Sequence, residues 1–304
     1  MFVFVAQRRK NFSTPQLLNL LGPIGIFDSG YGGLTILEGI RKLMPQYDYL
    51  YLGDNARAPY GGRSFDVVYE YTRQAVGKLF SMGCPLVILG CNTASAKALR
   101  SIQQNDLPLW NSPESSLYSP SASPRRVLGV IRPTAEVIGS LTQSRHVGLL
   151  ATEGTVRSES YKLEIQKLFP DIMVSGVACP LWAPIVEAGE AASPGADYFV
   201  KKRIDQLLAK DPLIDAIILG CTHYPLLLPK IEANVPEGVR IVSQGHYVGT
   251  SLQEYLQRHP DMQARCSQGA TVRYLTTESP DRFQETASIF LHDGPVEAQH
   301  IVLG

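Results

Sequence analysis

The chain has 304 residues, enough for about two domains that each bury a hydrophobic core. Hydrophobic residues make up 44% and charged residues 18%, and 28 basic residues balance 28 acidic ones. This neutral composition argues against a nucleic-acid or anionic-membrane partner. No apolar stretch approaches the roughly 20 residues that a membrane-spanning helix requires.

The five cysteines are odd in number and include no close Cys-x-x-Cys pair, which disfavours a disulfide framework or a ribbon-type zinc site. We therefore expect reduced thiols and a cytoplasmic protein. Near the N-terminus a basic cluster follows a short apolar run, the reverse of the order in a secretory signal. We interpret residues 1–22 as a loose N-terminal extension.

From Ile24 onwards the sequence alternates between strand and helix patterns. "IGIF" predicts a buried strand, "DSGYGG" a glycine-rich turn, and "LTILEGIRKLM" a helix. "YDYLYLGD" and "PLVILG" predict two further strands on either side of the amphipathic helix "DVVYEYTRQAVGKLFSMG", and "NTASAKALRSIQQ" predicts the next helix. Such alternation predicts an α/β fold whose parallel sheets are covered by helices on both faces.

A Ser/Pro-rich stretch at 111–126 interrupts the alternation and predicts a surface loop. The pattern then restarts, because "HVGLLATEGTVRSESYKLEIQKLF" repeats the order of strand, small-residue turn and helix. We expect two similar α/β domains with largely parallel central sheets and the active site in the cleft between them. The first domain is expected at 23–112 plus 226–304, and the second at 113–225.

An apolar strand ends in Leu-Gly-Cys twice, in "VILGCNTASAK" and in "IILGCTHYPLL". Ligands of open parallel sheets bind at the carboxyl ends of the strands, so we expect Cys91 and Cys221 to face one shared cleft. A helix N-terminus after each cysteine would favour the thiolate and lower the thiol pKa. Cys84, Cys179 and Cys266 lack this context, and we interpret them as buried, inert cysteines.

Two thiols on opposite faces of one carbon atom indicate a proton-transfer pair. One thiolate removes a proton from one face while the opposite thiol delivers a proton to the other, which inverts the stereocentre. Asp28, at its own strand end, and His223, two residues after Cys221, are candidates for tuning the pair. Three alternatives stay open: structural residues, a metal bound by the two cysteines and the histidine, and a catalytically silent amino-acid-binding module.

The "GYGG" turn invites comparison with a dinucleotide-binding loop. The G-x-G-x-x-G pattern needs glycine or alanine at position 35, where this chain has Thr35. The second small-residue turn, "TEGT", is not a phosphate-binding loop either. Neither turn therefore favours a nucleotide-dependent oxidoreductase.

Five motifs, in this order and spacing, resemble those of the glutamate racemases: "IGIFDSGYGG", "GDNARAPYG", "LGCNTASA", "CPLWAPIVEAG" and "LGCTHYPLL". The resemblance covers residues 23–304 and implies an isomerase that interconverts L- and D-glutamate for peptidoglycan and cell-wall biogenesis, and so for cell shape. It further implies a cytoplasmic homodimer with a small-molecule substrate and with no cofactor, metal, nucleic-acid or membrane partner. A racemase of the same two-cysteine superfamily that acts on aspartate or another amino acid is the main alternative.

The resemblance also implies roles for individual residues. Cys91 is expected to deprotonate the D-isomer with the help of Asp28, and Cys221 to deprotonate the L-isomer with the help of His223. Glu187 is expected to support this histidine, although by itself it is an ordinary acidic residue on a helix face. The residues expected to contact the substrate are Asp28, Ser29, Tyr60, Gly61, Asn92, Thr93, Thr222 and His223.

Two stretches depart from the family pattern. "RPTAE", at 132–136, stands where many members have Pro-Gly followed by an arginine, and "SQG", at 243–245, stands where an acidic residue is expected. Both lie outside the cysteine motifs, so they bear on substrate contact or regulation rather than on the chemistry. The Ser/Pro-rich loop is interpreted as an insertion relative to shorter members.

Overall fold

The computed structural model describes residues 21–117, 124–291, 294 and 296–304. Most of the predicted N-terminal extension and the centre of the predicted Ser/Pro-rich loop therefore lie outside the described residues. Within these ranges no helix is long and apolar enough to cross a membrane.

The described strands are β1 (Ile24–Asp28), β2 (Tyr49–Gly53), β3 (Leu86–Leu89), β4 (Arg126–Gly129), β5 (His146–Ala151), β6 (Met173–Ala178), β7 (Ala216–Gly220), β8 (Arg240–Val242), β9 (Val272–Thr276) and β10 (Ala298–His300). The helices are α1 (Gly33–Leu43), α2 (Phe65–Ser81), α3 (Asn92–Lys97), α4 (Leu99–Ser101), α5 (Leu107–Trp110), α6 (Ile131–Leu141), α7 (Glu153–Arg157), α8 (Ser160–Leu168), α9 (Trp182–Glu187), α10 (Pro194–Lys210), α11 (Leu228–Glu232), α12 (Gln244–Arg258), α13 (Pro260–Gln263) and α14 (Pro280–Ala287). A π-helical turn, Ile102–Asp106, joins α4 to α5, and 3₁₀ turns span Asn55–Arg57 and Tyr224–Leu227.

The strands form two sheets in which every pairing is parallel. The larger sheet has the order β10-β9-β2-β1-β3-β4 and the smaller sheet the order β6-β5-β7-β8. The central strands consist of buried residues, as expected for sheets that helices cover on both faces. The predicted α/β fold with two parallel sheets is confirmed.

Two outer strands join a different sheet from the one that the predicted boundaries imply. β4 lies in the larger sheet although its residues fall within 113–225, and β8 lies in the smaller sheet although its residues fall within 226–304. Both strands are short and lie at a sheet edge. A short apolar pattern identifies a strand but not its partner, which tertiary packing selects. The division of the chain into two domains stays a prediction.

Apolar side chains from both sheets share one hydrophobic cluster, which includes Ile26 of β1 and Ile217 of β7. Helix α12 packs against α1, beside the larger sheet, and against α6, beside the smaller one. The backbones of α1 and α12 approach closely, since a Cβ added at Gly39 would lie 2.7 Å from the Cα of Gly245. This packing holds together the two halves of the structure, each built around one sheet.

Candidate active site

Cys91 lies after β3 and occupies the N-cap position of α3. Its sulfur accepts a hydrogen bond from the backbone N–H of Ala94 at 3.4 Å and lies 3.3 Å from the hydroxyl of Ser29. Burial raises the pKa of the Cys91 thiol to about 12; the charges of Asp28 and Cys221 add to the rise, and the two hydrogen bonds oppose it. The expected lowering of this pKa is therefore wrong, because desolvation outweighs a helix of only six residues.

Cys221 follows β7 directly and is buried. A 3₁₀ turn, rather than the predicted helix, begins three residues later. The sulfur lies 3.8 Å from Nδ1 of His223, whose Nε2 lies 2.7 Å from Oε1 of Glu187. Burial by itself lowers the pKa of His223, but the hydrogen bonds to Cys221 and Glu187 raise it to about 10. The imidazole thus stands between a carboxylate and a thiol and favours its protonated form.

Asp28 ends β1, is buried, and interacts electrostatically with both Cys91 and His223. The backbone N–H of Gly30 donates to its Oδ2 at 2.9 Å, and the backbone N–H of Gly33 also donates to this carboxylate. Burial raises the pKa of Asp28, and the charge of nearby His223 opposes this rise. An ionised carboxylate has about four acceptor positions, so Asp28 can also accept a hydrogen bond from a cationic group of a ligand.

The glycine-rich turn after β1 brings the larger sheet against the Cys221 motif. A Cβ at Gly32 would collide with Oγ1 of Thr222 and with the ring of His223, and a Cβ at Gly33 would lie 2.5 Å from that of Asp28. The hydroxyl oxygen of Thr35 lies 2.9 Å from the carbonyl oxygen of Gly32 and 3.1 Å from that of Thr222, so its one hydrogen is shared between the two acceptors. The residue that breaks the dinucleotide-binding pattern therefore joins the two halves of the site.

A second pair of contacts crosses the cleft beside Cys91. The hydroxyls of Thr93 and Thr152 lie 3.0 Å apart. The backbone N–H of Gly154 donates to the carbonyl of Gly61 at 2.8 Å. Because Thr93 and Gly61 come from the larger sheet's side, these predicted substrate residues lie where the two halves meet.

Tyr60 is buried, and its hydroxyl donates to Oδ2 of Asp54. Asp54 also accepts hydrogen bonds from Arg57 and Thr277, so it anchors the loop that carries Tyr60 and Gly61. The hydroxyl of Tyr60 is thus already hydrogen-bonded within the protein. We therefore assign the predicted substrate contact of Tyr60 to its backbone.

Several residues that lie around the site were not predicted from the sequence to be part of it. The ring of Phe290 packs edge-on against His223, with ring centroids 5.3 Å apart. Asn92 forms buried hydrogen bonds with Gln244 and Tyr161. These partners come from distant segments, and only Gln244 stood in a stretch that departed from the family pattern.

The other three cysteines are buried. Cys84 precedes β3 and Cys266 precedes β9, so both lie at the amino ends of the parallel strands, whereas Cys91 lies at the carboxyl end. Burial raises the pKa of each of these two thiols to about 12. Cys179 follows β6, and burial raises its pKa as well.

Among the described residues, no group of three or more His, Cys, Asp or Glu side chains is placed to hold a metal ion.

Residues 35–246 match the family model of the Asp/Glu/Hydantoin racemases. The chain belongs to this family. It is 38% identical over 278 residues to the glutamate racemase of Ruegeria pomeroyi, an alignment that covers 88% of this chain and 96% of the relative. The predicted family and the predicted enzyme class, an isomerase, are confirmed.

Solved structures of the family agree with the fold. The glutamate racemase isoform RacE1 of Bacillus anthracis aligns with a TM-score of 0.80 at 29% identity, over 93% of this chain and 98% of that chain. The glutamate racemase of Francisella tularensis, solved in complex with D-glutamate, aligns with a TM-score of 0.77 at 28% identity, over 94% and 98% of the two chains.

Proposed function

We propose that this protein interconverts L- and D-glutamate without a cofactor, by proton transfer between Cys91 and Cys221. The observation that carries the proposal is the pair of buried strand-end thiols, one from each sheet. They lie close enough for the charge of Cys221 to raise the pKa of Cys91. Each thiol has its own polar partners, Ser29 and Asp28 on one side and His223 on the other.

In the L-to-D direction, the thiolate of Cys221 takes the Cα proton of L-glutamate. The electron pair left on Cα is delocalised into the adjacent carboxylate, and the thiol of Cys91 delivers a proton to the opposite face. Protonated His223, held by Glu187, stabilises the Cys221 thiolate before this step. The raised pKa of Cys91 suits it to the role of proton donor.

In the D-to-L direction the roles reverse, and Cys91 must first lose its proton. Asp28 is the group placed to assist, because its charge interacts with Cys91 and its own raised pKa allows it to accept a proton. The remaining acceptor positions of the Asp28 carboxylate also suit the substrate ammonium group. The hydroxyls and amide that remain for the two carboxylates belong to Ser29, Asn92, Thr93 and Thr222, together with the backbone of Tyr60 and Gly61.

The biological role follows from the family resemblance. We propose that D-glutamate made by this reaction serves peptidoglycan synthesis, cell-wall biogenesis and cell shape, and that the enzyme works in the cytoplasm. The assembly is proposed to be a homodimer. Neither nucleic acid nor a membrane takes part in the reaction.

The proposal is tested by incubating the purified protein with L-glutamate, with no added cofactor, and following circular dichroism. The expected result is decay of the signal to zero as the racemic mixture forms, with the same rate after dialysis against a chelator. L-aspartate is run in parallel. Faster turnover of aspartate would favour the aspartate-racemase alternative, loss of activity on chelation that zinc restores would favour a metal site, and binding without turnover would favour the silent module.

A further inference from the structure

The two stretches that depart from the family pattern meet in space. Gln244, from "SQG", begins α12 and is buried, and Thr134, from "RPTAE", is buried in α6. Nε2 of Gln244 donates to the carbonyl of Val130 at 3.0 Å and lies 3.2 Å from the hydroxyl oxygen of Thr134. The two departures are therefore one structural feature.

Gln244 also closes a ring of hydrogen bonds with two other buried side chains. Its Nε2 donates to the hydroxyl of Tyr161 at 2.6 Å, this hydroxyl donates to Oδ1 of Asn92 at 2.7 Å, and Nδ2 of Asn92 donates back to Oε1 of Gln244 at 2.6 Å. The three side chains are at most 3% exposed. The ring ties together α3, α8 and α12, and Asn92 is the residue next to Cys91.

The carbonyl of Val130 fixes the direction of every bond in this ring. A carbonyl only accepts, so Gln244 must turn its nitrogen toward Val130 and its oxygen toward Asn92. Asn92 must then present its nitrogen to Gln244 and its oxygen to Tyr161. Burial raises the pKa of the Tyr161 hydroxyl, so it stays protonated and can donate.

We propose that Gln244 is a positioning residue that keeps the carboxamide of Asn92 turned with an N–H available for a substrate carboxylate, an inference that rests on the proposed function. Among the described residues, Nδ2 of Asn92 makes a single hydrogen bond although it carries two hydrogens. With the amide turned over, its oxygen would face the carboxylate, and two acceptors repel each other. Gln244 acts through Asn92 and contacts no reacting atom.

The test is Gln244→Met, a change to an apolar side chain of similar length that removes both the donors of the amide and the oxygen that accepts from Asn92. Nδ2 of Asn92 would then have no acceptor at position 244, and Asn92 would be free to turn over. We expect KM to rise at least tenfold for both glutamate isomers while kcat changes less than threefold, because a carboxylate contact acts equally in the ground state and the transition state. Tyr161→Phe, which removes one hydroxyl, should raise KM three- to tenfold.

Two controls separate positioning from a general effect on the fold. Gln257→Met makes the same substitution at an exposed position of α12 and should leave both constants unchanged. In a double-mutant cycle, Gln244→Met added to Asn92→Ala should change KM by less than twofold, since the residue through which Gln244 acts is already absent. If Gln244→Met does not fold, the same cycle is measured with Tyr161→Phe.

Several outcomes would overturn the inference. They are a KM within twofold of wild type in the folded Gln244→Met variant, a loss of kcat at unchanged KM, or effects of Gln244 and Asn92 on KM that simply multiply. Each of these requires that the wild-type protein racemises glutamate. A wild-type protein without that activity would refute the proposed function instead, so the two failures are distinguishable.

Discussion

At the scale of single residues, the two central thiols differ in the groups that surround them. Cys91 contacts a hydroxyl and a backbone N–H, and Cys221 adjoins the His223–Glu187 pair. The Leu-Gly-Cys repeat predicted both positions, because a strand end next to a turn is visible in a single sequence. The raised pKa of Cys91 was not predictable, since burial depends on segments far along the chain.

Cys91→Ala and Cys221→Ala should each abolish racemisation, because one remaining thiol exchanges a proton on only one face of Cα. Cys84→Ala and Cys266→Ala are the matched controls, since these thiols are also buried but lie at the amino ends of the strands, away from the site. Circular dichroism of L- and D-glutamate reactions measures all four variants. Wild-type rates in either active-site variant would refute the paired-thiol assignment.

His223→Asn should make proton removal from L-glutamate more rate-limiting than removal from D-glutamate, and Asp28→Asn should do the reverse. At equilibrium a racemase forms equal amounts of both isomers, so kcat/KM must stay equal in the two directions. The difference should therefore appear in the primary isotope effect with α-deuterated substrate, larger for the L-isomer in His223→Asn and for the D-isomer in Asp28→Asn. Equal isotope effects for both isomers in both variants would contradict this division of roles.

Glu187→Gln should destabilise the protein more at pH 6 than at pH 9.5. The pKa of His223 is raised to about 10 in the folded protein, against 6.5 for the ordinary side chain. Protonation therefore stabilises the fold fully below about pH 6.5, and this contribution is lost as the pH rises through 10. Replacing the carboxylate removes one cause of the raised pKa. Urea unfolding of both proteins at both pH values measures the difference, and an effect of Glu187→Gln that does not depend on pH would contradict the ion pair.

At the scale of helices and strands, the hydrophobic patterns predicted the strands that lead into the site. They did not predict that the segment after Cys221 forms a 3₁₀ turn, nor which helix faces pack together. The contact between α1 and α12 depends on glycines that a single sequence does not mark as paired. Gly39 and Gly249 approach so closely that a Cβ at Gly249 would lie 2.9 Å from the carbonyl oxygen of Gly39.

Gly39→Ala should lower the free energy of unfolding by about 1–3 kcal/mol, because the new methyl group would press into the backbone of α12. The control is Gly77→Ala in α2, where the nearest atom would lie at an ordinary 3.8 Å. That change should raise the free energy of unfolding by about 0.5–1 kcal/mol, as usual for an unhindered helical glycine. Equal effects of the two substitutions in urea unfolding would refute the close helix contact.

At the scale of the whole molecule, strand and helix alternation predicted two parallel sheets, and the described part of the chain forms two. The predicted domain boundaries separate β4 and β8 from the sheets that these strands join. The sequence of a short edge strand does not show which neighbouring strand it pairs with. No local sequence pattern predicted the hydrogen-bond ring of Asn92, Gln244 and Tyr161, because these residues come together only when three helices pack. Long-range hydrogen bonds of this kind are set by tertiary structure and not by local pattern.

The central claim is that two thiols, one from each half, work on opposite faces of one carbon atom. The most direct measurement starts racemisation of L-glutamate in deuterated water, stops it early and determines the deuterium at Cα of both isomers. The account predicts that the D-glutamate carries solvent deuterium while the unreacted L-glutamate carries almost none, because the proton taken by Cys221 is not the one that Cys91 delivers. D-glutamate that mostly keeps its original hydrogen, or L-glutamate labelled as fast as it is converted, would contradict the account.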